Sequence, residues 1–288
     1  MSEATSSRSG GIIRLLHVNA ATAESASSRF EAANKCFSAA PRRSMPASCC
    51  GHAFCRMPEV TAAVLVLSTT NLERGRALVQ EMGFGRVAAC VPGGARRQDS
   101  VRAGLEALAG AGPDFDFIAI HDGARPFVDE AMVRRGLAAV LATGAAIAAV
   151  PVKDTIKSAG PDRIVTGTPD RRALWAVQTP QVFKAKVILD AHRRVSQEVT
   201  DDASMVELTG GRVSVFDGHP ENMKITTPDD LLLAGLIATR RAGEPGSVAG
   251  DGTSLLAPAL TFSGTGAAVQ QGVRFGTGFD GHRLAPPG

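Results

Sequence analysis

From about residue 59 onward, the chain alternates short apolar runs with amphipathic stretches. Thr61–Ser68, Phe115–Ile120 and Ala145–Val150 are apolar almost throughout, which is typical of strands buried on both faces of a sheet. Over Gln98–Leu108 the apolar residues instead return every three or four positions, which predicts a helix. Strands that alternate with helices in this way indicate an α/β fold, with a mostly parallel sheet and helices on both faces.

The same patterns predict the remaining elements of this domain. Further strands are predicted at Arg86–Val91, Arg212–Asp217 and Asn222–Thr226, and further helices at Leu72–Met82, Asp129–Leu141, Ala185–Gln197, Ala203–Thr209 and Thr227–Arg240. The polar segment Gln178–Gln181, which precedes one of these helices, is expected to be a turn.

Lys153–Trp175 interrupts the regular alternation of strands and helices. Two alternating stretches, Asp154–Ser158 and Arg163–Thr168, flank the turn residues Ala159–Asp162. This pattern predicts a protruding β-hairpin arm. The cations of the arm either form a solvated face, which is their usual fate, or belong to a functional site.

The two ends of the chain differ from the part between them. Residues 1–57 keep no hydrophobic period for long, so we expect an atypical segment that packs poorly, followed by one domain over 58–240. Residues 241–271 are rich in Gly, Ala and Ser, which is typical of a linker. Residues 272–288 begin a new apolar strand.

Composition narrows the class of protein. A chain of 288 residues with 44% hydrophobic and 20% charged residues suits a globular protein with a substantial core. A net charge of +3 is too small to argue for nucleic acid, and no apolar run is long enough to cross a membrane. We therefore expect a cytoplasmic protein. The five cysteines match no common zinc spacing, so reduced thiols are expected.

The first candidate site follows the predicted strand Phe115–Ile120. Ligands of open α/β sheets bind beyond the carboxyl ends of strands. Asp122 could hold a metal–phosphate complex or a ribose, Gly123 would let a ligand approach the backbone, and Arg125 could pair with phosphate. Alternatively, Asp122 caps a turn and Arg125 pairs with it.

A glycine-rich turn before the helix at Gln98 is the second candidate. Gly93 and Gly94 are followed by the basic pair Arg96 and Arg97. Backbone N–H groups at such a helix start can bind phosphate or a base edge, with positive charge nearby. The alternative is an ordinary strand-to-helix turn with surface arginines.

Lys224 is the third candidate, because it lies on the predicted strand Asn222–Thr226. A lysine on an apolar strand either extends its ammonium group to solvent or points into a site. We favour the site, because the lysine ends a strand.

Seven motifs, taken together and in order, resemble the 2-C-methyl-D-erythritol 4-phosphate cytidylyltransferase family over about Glu59–Arg240. The motifs are Pro92–Gly94 with Asp99–Val101, His121–Pro126, Pro151–Lys157, Asp170–Arg171 with Leu174–Trp175, Gln178–Gln181, Thr200–Ala203 and Asn222–Thr226. The resemblance implies a Rossmann-like nucleotidyltransferase fold. It also implies transfer of a cytidylyl group from CTP to methylerythritol phosphate, with Mg²⁺ and release of pyrophosphate.

The resemblance also implies roles for individual residues. It implies a nucleotide site formed by Gly93, Gly94, Ser100, Asp122 and Gly123. It implies a substrate site formed by Asp122, Thr155 and Thr179, to which we add Arg125 for its expected pairing with phosphate. It also implies two catalytic cations, Arg171 and Lys224. In this family the arm, here residues 153–175, joins a homodimer, so Arg171 would lie near Lys224 of the partner subunit.

One part of the family pattern is not visible in this chain. The family opens with a strand and a glycine-rich, basic loop that wraps the triphosphate, and no such loop is recognisable before Glu59. A reading-frame slip near Asn34–Phe37 would explain this, and weak activity would follow from it. Two alternatives stay open: an inactive remnant that folds and dimerises, and a nucleotidyltransferase for another phosphorylated polyol.

The end of the chain has a second resemblance. Arg274–Leu284 is similar to the opening strand of 2-C-methyl-D-erythritol 2,4-cyclodiphosphate synthase, in which an Asp-x-His motif binds a divalent metal, usually zinc. This implies a fused two-enzyme chain whose second domain is truncated here. Asp280 and His282 would be its metal ligands, but catalytic zinc takes three protein ligands, so we expect little zinc.

Overall fold

The computed structural model describes residues 13–18, 50–110 and 115–243. Its strands are β1 (Ile13–Val18), β2 (Val60–Leu67), β3 (Val87–Pro92), β4 (Phe117–Asp122), β5 (Ala145–Pro151), β6 (Ser158–Ala159), β7 (Val165–Gly167), β8 (Trp175–Lys184) and β9 (Ser214–Asp217). Its helices are α1 (Cys50–Arg56), α2 (Leu72–Glu81), α3 (Arg97–Gly110), α4 (Glu130–Thr143), α5 (Ala185–Arg194), α6 (Asp202–Leu208) and α7 (Pro228–Gly243).

Seven strands of the described residues form one sheet, in the order β3-β2-β1-β4-β8-β5-β9. All neighbours pair in parallel except β8, which runs antiparallel to both β4 and β5. The predicted α/β fold with a mostly parallel sheet is therefore confirmed. The predicted strands β2 to β5 fall within two residues of their expected bounds. For β2, β4 and β5, the reason is that nearly uniform apolar runs mark buried strands clearly.

Helices cover both faces of the sheet, as predicted. On one face, α3, α5 and α6 contribute Leu105, Ile188 and Met205 to a core shared with β1, β2 and β4. On the other face, α1 and α4 contribute Phe54 and Met132 to a second core. The carboxyl ends of β1 and β4 consequently lie between two well-packed layers.

Strand β1 lies in the middle of the sheet, between β2 and β4. Leu15, Leu16 and Val18 are buried, which differs from the expectation that residues 1–57 pack poorly. Arg14 interrupts the apolar pattern, and this hid the strand. Its guanidinium donates to the Leu108 carbonyl and lies 4.3 Å from the centre of the Phe115 ring, partners that only the folded chain supplies.

Helix α1 also belongs to the domain rather than to a poorly packed segment. Phe54 and Met57 have no exposed surface, and the Phe54 ring lies 5.3 Å from the His121 ring. Residues 19–49, in which the triphosphate loop and the frame slip were sought, lie outside the described residues. So do residues 244–288, with Asp280, His282 and most of the predicted linker.

Strand β8 corrects the expectation of a turn at Gln178–Gln181. These residues lie inside a ten-residue strand in which Gln181 pairs with Ile120 and Ile147, and the Thr179–Pro180 peptide bond is cis. Proline cannot donate to a ladder and is rare in central strands. The proline and its polar neighbours resemble a turn in sequence, and for this reason the central strand was not predicted.

The segment Asn222–Thr226 is an irregular loop, so the prediction of a strand there is wrong. Instead of joining a ladder, the Ile225 N–H donates to the Ala124 carbonyl at 2.8 Å. The Asn222 side chain donates to the Thr179 carbonyl at 2.7 Å. One main-chain and one side-chain hydrogen bond thus take the place of strand pairing, and they hold Lys224 in a loop.

The arm is present as a small separate hairpin, shorter than predicted. β6 and β7 pair antiparallel and join no other strand in the described residues. Arg163, in the turn, has a left-handed φ of 63°, and Lys157 Nζ donates to Thr168 Oγ1 at 2.7 Å.

Across the described ranges, no helix has both the length and the apolar character to span a membrane.

Candidate active site

The candidate site centres on the carboxyl end of β4, at His121–Arg125, which we call the Asp122 corner. The Asp122 side chain has a cation at each oxygen. Lys224 Nζ lies 2.9 Å from its Oδ2, and Arg97 Nε lies 3.3 Å from its Oδ1. The structure thus brings two predicted site residues, Asp122 and Lys224, into direct contact.

The charge state of Asp122 follows from these neighbours. Burial raises the pKa of this carboxyl, because it is only 8% exposed. Arg97 and Lys224 more than offset that effect and hold its pKa at about 2. The site therefore presents a carboxylate that stays ionised at neutral pH, between two cations.

A chain of hydrogen bonds fixes the backbone of the Asp122 corner. The Asp122 N–H donates to Thr179 Oγ1 at 3.0 Å, and that hydroxyl contacts His121 Nδ1, also at 3.0 Å. His121 Nε2 lies 2.9 Å from the Arg125 carbonyl, which can only accept, so the neutral imidazole carries its proton on Nε2. Thr179, 4% exposed, supports Asp122, and its contact to substrate stays a prediction.

Arg125 ties the corner to its neighbours through main-chain acceptors. Its Nη1 donates to the Asn222 carbonyl at 2.7 Å and its Nη2 to the Val177 carbonyl at 3.4 Å. Burial lowers the pKa of this guanidinium. These bonds hold the loop that carries Lys224, whereas the expected pairing of Arg125 with phosphate remains a prediction.

The glycine-rich turn packs closely against the first turn of α3. The Gly94 N–H donates to Ser100 Oγ at 3.1 Å, and that hydroxyl donates to the Arg96 carbonyl at 3.1 Å. A Cβ on Gly94 would lie 2.4 Å from Asp99 Cβ, and one on Gly93 would lie 2.8 Å from Ser100 Oγ. Only glycine fits this turn without movement of its neighbours.

The two arginines of the basic pair have different partners. Arg96 forms an exposed pair with Asp99, with Nη2 and Oδ1 2.8 Å apart. Arg97 reaches the Asp122 corner and also contacts Asp202, with Nη1 2.7 Å from Oδ2. The first turn of α3 therefore joins the candidate site through Arg97.

The sequence analysis placed Arg97 in the basic pair and Asp202 in the motif Thr200–Ala203, but it did not connect these two residues with each other or with His192. Asp202 contacts His192 as well as Arg97, with 3.2 Å between its Oδ1 and His192 Nε2. Asp202 lies 105 residues from Arg97 along the chain, so no local pattern could pair them. A charged residue at the start of α6, beside the cap residue Asp201, was the available signal.

The arm residues lie apart from this group within the chain. Thr155 and Arg171 are exposed, and Arg171 Nη1 donates to the Lys153 carbonyl at 2.8 Å. Within the described residues, no hydrogen bond or ion pair links either side chain to the Asp122 corner. Their roles in substrate binding and catalysis remain predictions.

The donor set at the corner suits a metal that arrives with a nucleotide. Among the described residues, no group of three or more His, Cys, Asp or Glu side chains could hold a metal ion by itself. Mg²⁺ is usually bound through one or two carboxylates together with substrate phosphates. Asp122 fits the first of these two ligand types.

The fold and the site together define an α/β nucleotidyltransferase. The sequence model of 2-C-methyl-D-erythritol 4-phosphate cytidylyltransferase (IspD) matches residues 32–240. The chain therefore belongs to this family. The match begins well before Glu59, where the resemblance drawn from the motifs starts.

Curated relatives agree with this family. The 2-C-methyl-D-erythritol 4-phosphate cytidylyltransferase of Dehalococcoides mccartyi is 46% identical over 184 residues, which cover 64% of this chain and 79% of the relative. The bifunctional enzyme IspD/IspF of Rhodopseudomonas palustris is 40% identical over 233 residues. That match covers 80% of this chain and 50% of the relative, so the chain spans half the length of the two-enzyme protein.

Solved structures lead to the same conclusion. The 4-diphosphocytidyl-2C-methyl-D-erythritol synthase of Anaerococcus prevotii matches with a TM-score of 0.63 and 25% identity, covering 80% of this chain and all of that chain. The 2-C-methyl-D-erythritol 4-phosphate cytidylyltransferase of Thermus thermophilus matches with a TM-score of 0.52 and 31% identity. It covers 66% of this chain and 86% of that chain.

Proposed function

We propose that the chain transfers a cytidylyl group from CTP to 2-C-methyl-D-erythritol 4-phosphate and releases pyrophosphate. The observation that carries this proposal is the Asp122 corner, where an ionised carboxylate lies between Lys224 and Arg97 at a strand end. At such a corner, the carboxylate can bind a metal–nucleotide complex and the lysine can bind a phosphate. The family that the chain belongs to supplies the identity of the two substrates.

The reaction concentrates negative charge, and the cations of the chain would offset it. An oxygen of the acceptor phosphate attacks the α-phosphorus of CTP, and the bond to the leaving pyrophosphate breaks in line with it. Lys224 would stabilise the attacking phosphate, because its ammonium group lies at the Asp122 corner and its side chain is 43% exposed. Fixed charges of this kind act most strongly when they are positioned in advance.

Asp122 would hold Mg²⁺ together with the nucleotide phosphates, and the ion would supply further positive charge to them. The backbone at Gly93 and Gly94 and the buried Ser100 would contact the cytosine, with Gly123 near the ribose and phosphates. Support for this arrangement comes from Arg97, which connects the first turn of α3 to Asp122.

The arm would complete the site from a second subunit. Thr155 and Arg171 would reach the substrate of the partner subunit in a homodimer. Support comes from the exposed apolar surface at and beside the arm, since soluble monomers rarely expose such groups together. The exposed residues are Ile156, Ile164, Val165, Trp175 and Val177. We keep the cytoplasm as the proposed location of the enzyme.

A further proposal concerns residues 272–288, which would begin a cyclodiphosphate synthase domain. The bifunctional enzyme IspD/IspF of Rhodopseudomonas palustris supports it, because that relative combines the two enzymes and matches 80% of this chain. With Asp280 and His282 as two ligands on one strand, metal analysis should find little bound zinc in this chain. One stoichiometric zinc, lost in His282→Ala, would contradict this expectation.

Pyrophosphate release tests the proposed reaction. It should require CTP, Mg²⁺ and methylerythritol phosphate together, and it should fall when UTP or ATP replaces CTP. The chain as given should be compared with a version that carries a family-like glycine-rich, basic loop before Glu59. The sequence predicts weak or undetectable release from the first and clear release from the second. No release from either version would refute the assignment, and full activity of the first would refute the expectation of a defective loop.

A further inference from the structure

A line of alternating charges runs from α5 to the loop that carries Lys224. His192 Nε2 lies 3.2 Å from Asp202 Oδ1, and Asp202 Oδ2 lies 2.7 Å from Arg97 Nη1. Arg97 Nε lies 3.3 Å from Asp122 Oδ1, and Asp122 Oδ2 lies 2.9 Å from Lys224 Nζ. Two carboxylates and two basic side chains alternate along this line, and His192 ends it.

Asp202 is the fixed end of the line. It is 1% exposed and His192 is 6% exposed, so both groups are out of water. Each carboxylate oxygen has a partner, as a buried charge requires. Burial raises the pKa of Asp202, but Arg97 and His192 together lower it below its usual value. The carboxylate is therefore an anion held in one place.

The start of α6 is itself held rigidly, which fixes the position of Asp202. Asp201 caps the helix by accepting from the Ser204 N–H at 3.0 Å. Gln181, on β8, donates to Asp201 Oδ2 at 2.8 Å and accepts from the Ala203 N–H at 3.2 Å. Because β8 pairs with β4, this frame connects α6 to the strand that ends at Asp122.

Arg97 uses two different nitrogens for its two carboxylates. A planar guanidinium can bridge two acids at fixed distances, whereas a lysine ammonium is a single point charge on a flexible stem. A swing of the guanidinium toward a phosphate would draw Nη1 away from Asp202, which would then keep a buried charge without this cation. The geometry therefore makes Arg97 an anchor for Asp122.

We propose that Arg97 and Asp202 are positioning residues of this site. Asp202 holds the guanidinium of Arg97, and Arg97 holds Oδ1 of Asp122, so that Oδ2 and Lys224 stay turned toward the substrates. This inference rests on the proposed cytidylyl transfer. In this role, neither Arg97 nor Asp202 has to touch the substrate.

Kinetics of four variants test the proposal: Arg97→Gln, Arg97→Lys, Asp202→Asn and the double variant Arg97→Gln/Asp202→Asn. In each, kcat should fall by about 10- to 100-fold, the usual cost of removing a group that orients a ligand-binding residue. KM for CTP should change much less. Arg97→Lys should fall nearly as far as Arg97→Gln, because the charge is kept but the bridge is lost.

The double variant separates a shared role from two independent roles. If Asp202 acts through Arg97, its loss should add little once Arg97 is gone, so the double variant should resemble Arg97→Gln. Asp190→Asn is the matched control, because Asp190 forms only exposed pairs with Arg193 and Arg194 on α5. The kcat of Asp190→Asn should equal that of the original chain. Additive losses, or wild-type kcat in Arg97→Lys, would overturn the proposal.

Two further measurements keep the proposal testable if a variant folds poorly or if no reaction is observed. Thermal melts identify any unfolded variant. If other variants are unfolded, the kcat of Arg97→Lys decides whether Arg97 is a positioning residue, because this variant keeps a cation beside both carboxylates. Crystal structures of the original chain and of Asp202→Asn need no activity. The proposal expects the Arg97–Asp122 contact only in the first, and an unchanged Arg97 in Asp202→Asn would overturn it. Failure of pyrophosphate release with CTP in both the original chain and the version with a restored loop would refute the proposed reaction. The crystal structures would still decide on the positioning.

Discussion

The Asp122 corner and the arm differ in how much of their surroundings the chain itself supplies. Asp122, Thr179 and Asn222 are at most 8% exposed, and each is held by several hydrogen bonds or ion pairs. On the arm, Ile164 is 65% exposed and Val165 is 55% exposed. Arg171 is held there by one hydrogen bond, to the carbonyl of Lys153.

The chain itself supplies the surroundings of the Asp122 corner, whereas the proposed partner subunit would supply those of the arm. The corner is ordered before any substrate arrives, so its charges need little rearrangement during the reaction. The arm has exposed apolar side chains and the exposed Arg171, as expected for a surface that a second copy covers. In the proposed dimer, each active site would combine the Asp122 corner of one subunit with the arm of the other.

The largest effect is expected at the corner, from Lys224→Ala. Loss of one preorganised charge at the transition state should lower kcat by about 10²- to 10³-fold. The free energy of unfolding should change by less than about 1 kcal/mol, because the lysine is 43% exposed and Asp122 keeps Arg97. Pyrophosphate release and urea unfolding measure the two quantities, in whichever form of the chain releases pyrophosphate.

Lys186→Ala is the matched control for Lys224→Ala. Lys186 is exposed on α5, so its removal should change neither kcat nor stability appreciably. A Lys224→Ala variant that is fully active would remove Lys224 from the reaction. A variant that is inactive because it is unfolded would instead make Lys224 a structural residue.

Mixing two inactive variants connects the corner with the arm. If Arg171 acts on the site of the partner subunit, a dimer of Arg171→Ala and Lys224→Ala subunits contains one intact site and one doubly altered site. Random exchange would make about half of the dimers mixed, and activity should recover to about a quarter of the original. Each variant alone should stay inactive. No recovery, with subunit exchange shown by native mass spectrometry, would place both residues in one chain.

A smaller effect is expected from the charge of Asp122 itself. Its pKa is lowered from 3.8 to about 2 in the folded chain, so its ionised form stabilises the fold by about 2 kcal/mol. That contribution is complete above about pH 4 and is lost as the pH falls toward about 2. The stability gap between the original chain and Asp122→Asn should therefore narrow over this range in urea unfolding. A constant gap would contradict the assigned pKa.

The smallest effect on folding is expected from the arm. Ile164→Asp should leave the unfolding free energy of the isolated subunit within about 0.5 kcal/mol, because the side chain is 65% exposed. The same change should weaken the dimer, since it places a charge on an apolar contact surface. Sedimentation across micromolar concentrations measures association. A chain that is monomeric before the substitution would refute the dimer, and unchanged association would move the interface elsewhere.

The sequence predicted β2, β4 and β5 of the sheet because their residues are almost uniformly apolar, and it missed β1, in which Arg14 interrupts the apolar pattern. It failed at β8, where Thr179, Pro180 and two glutamines replace the apolar residues of a buried strand. Those polar side chains are there for the site: Gln181 holds the start of α6, and Thr179 holds Asp122. The strand was missed because its residues serve the site rather than the core.

The candidate site could be predicted only where its residues adjoin along the chain. Asp122, Arg125 and the glycine turn stand in short motifs, so local spacing indicated them. The contact between Arg97 and Asp202 joins residues 105 positions apart and depends on how α3 and α6 pack on the sheet. Such a pair becomes visible only in three dimensions.

Phosphorus NMR of the chain with CTP, Mg²⁺ and methylerythritol phosphate tests cytidylyl transfer at the Asp122 corner most directly. Signals of a new diphosphate bond between the cytidylyl group and methylerythritol should grow with those of pyrophosphate, and both should be absent with Lys224→Ala. The version with a restored loop should give the same products, faster. Formation of CMP without the new diphosphate, or no reaction in either version, would contradict the proposed function.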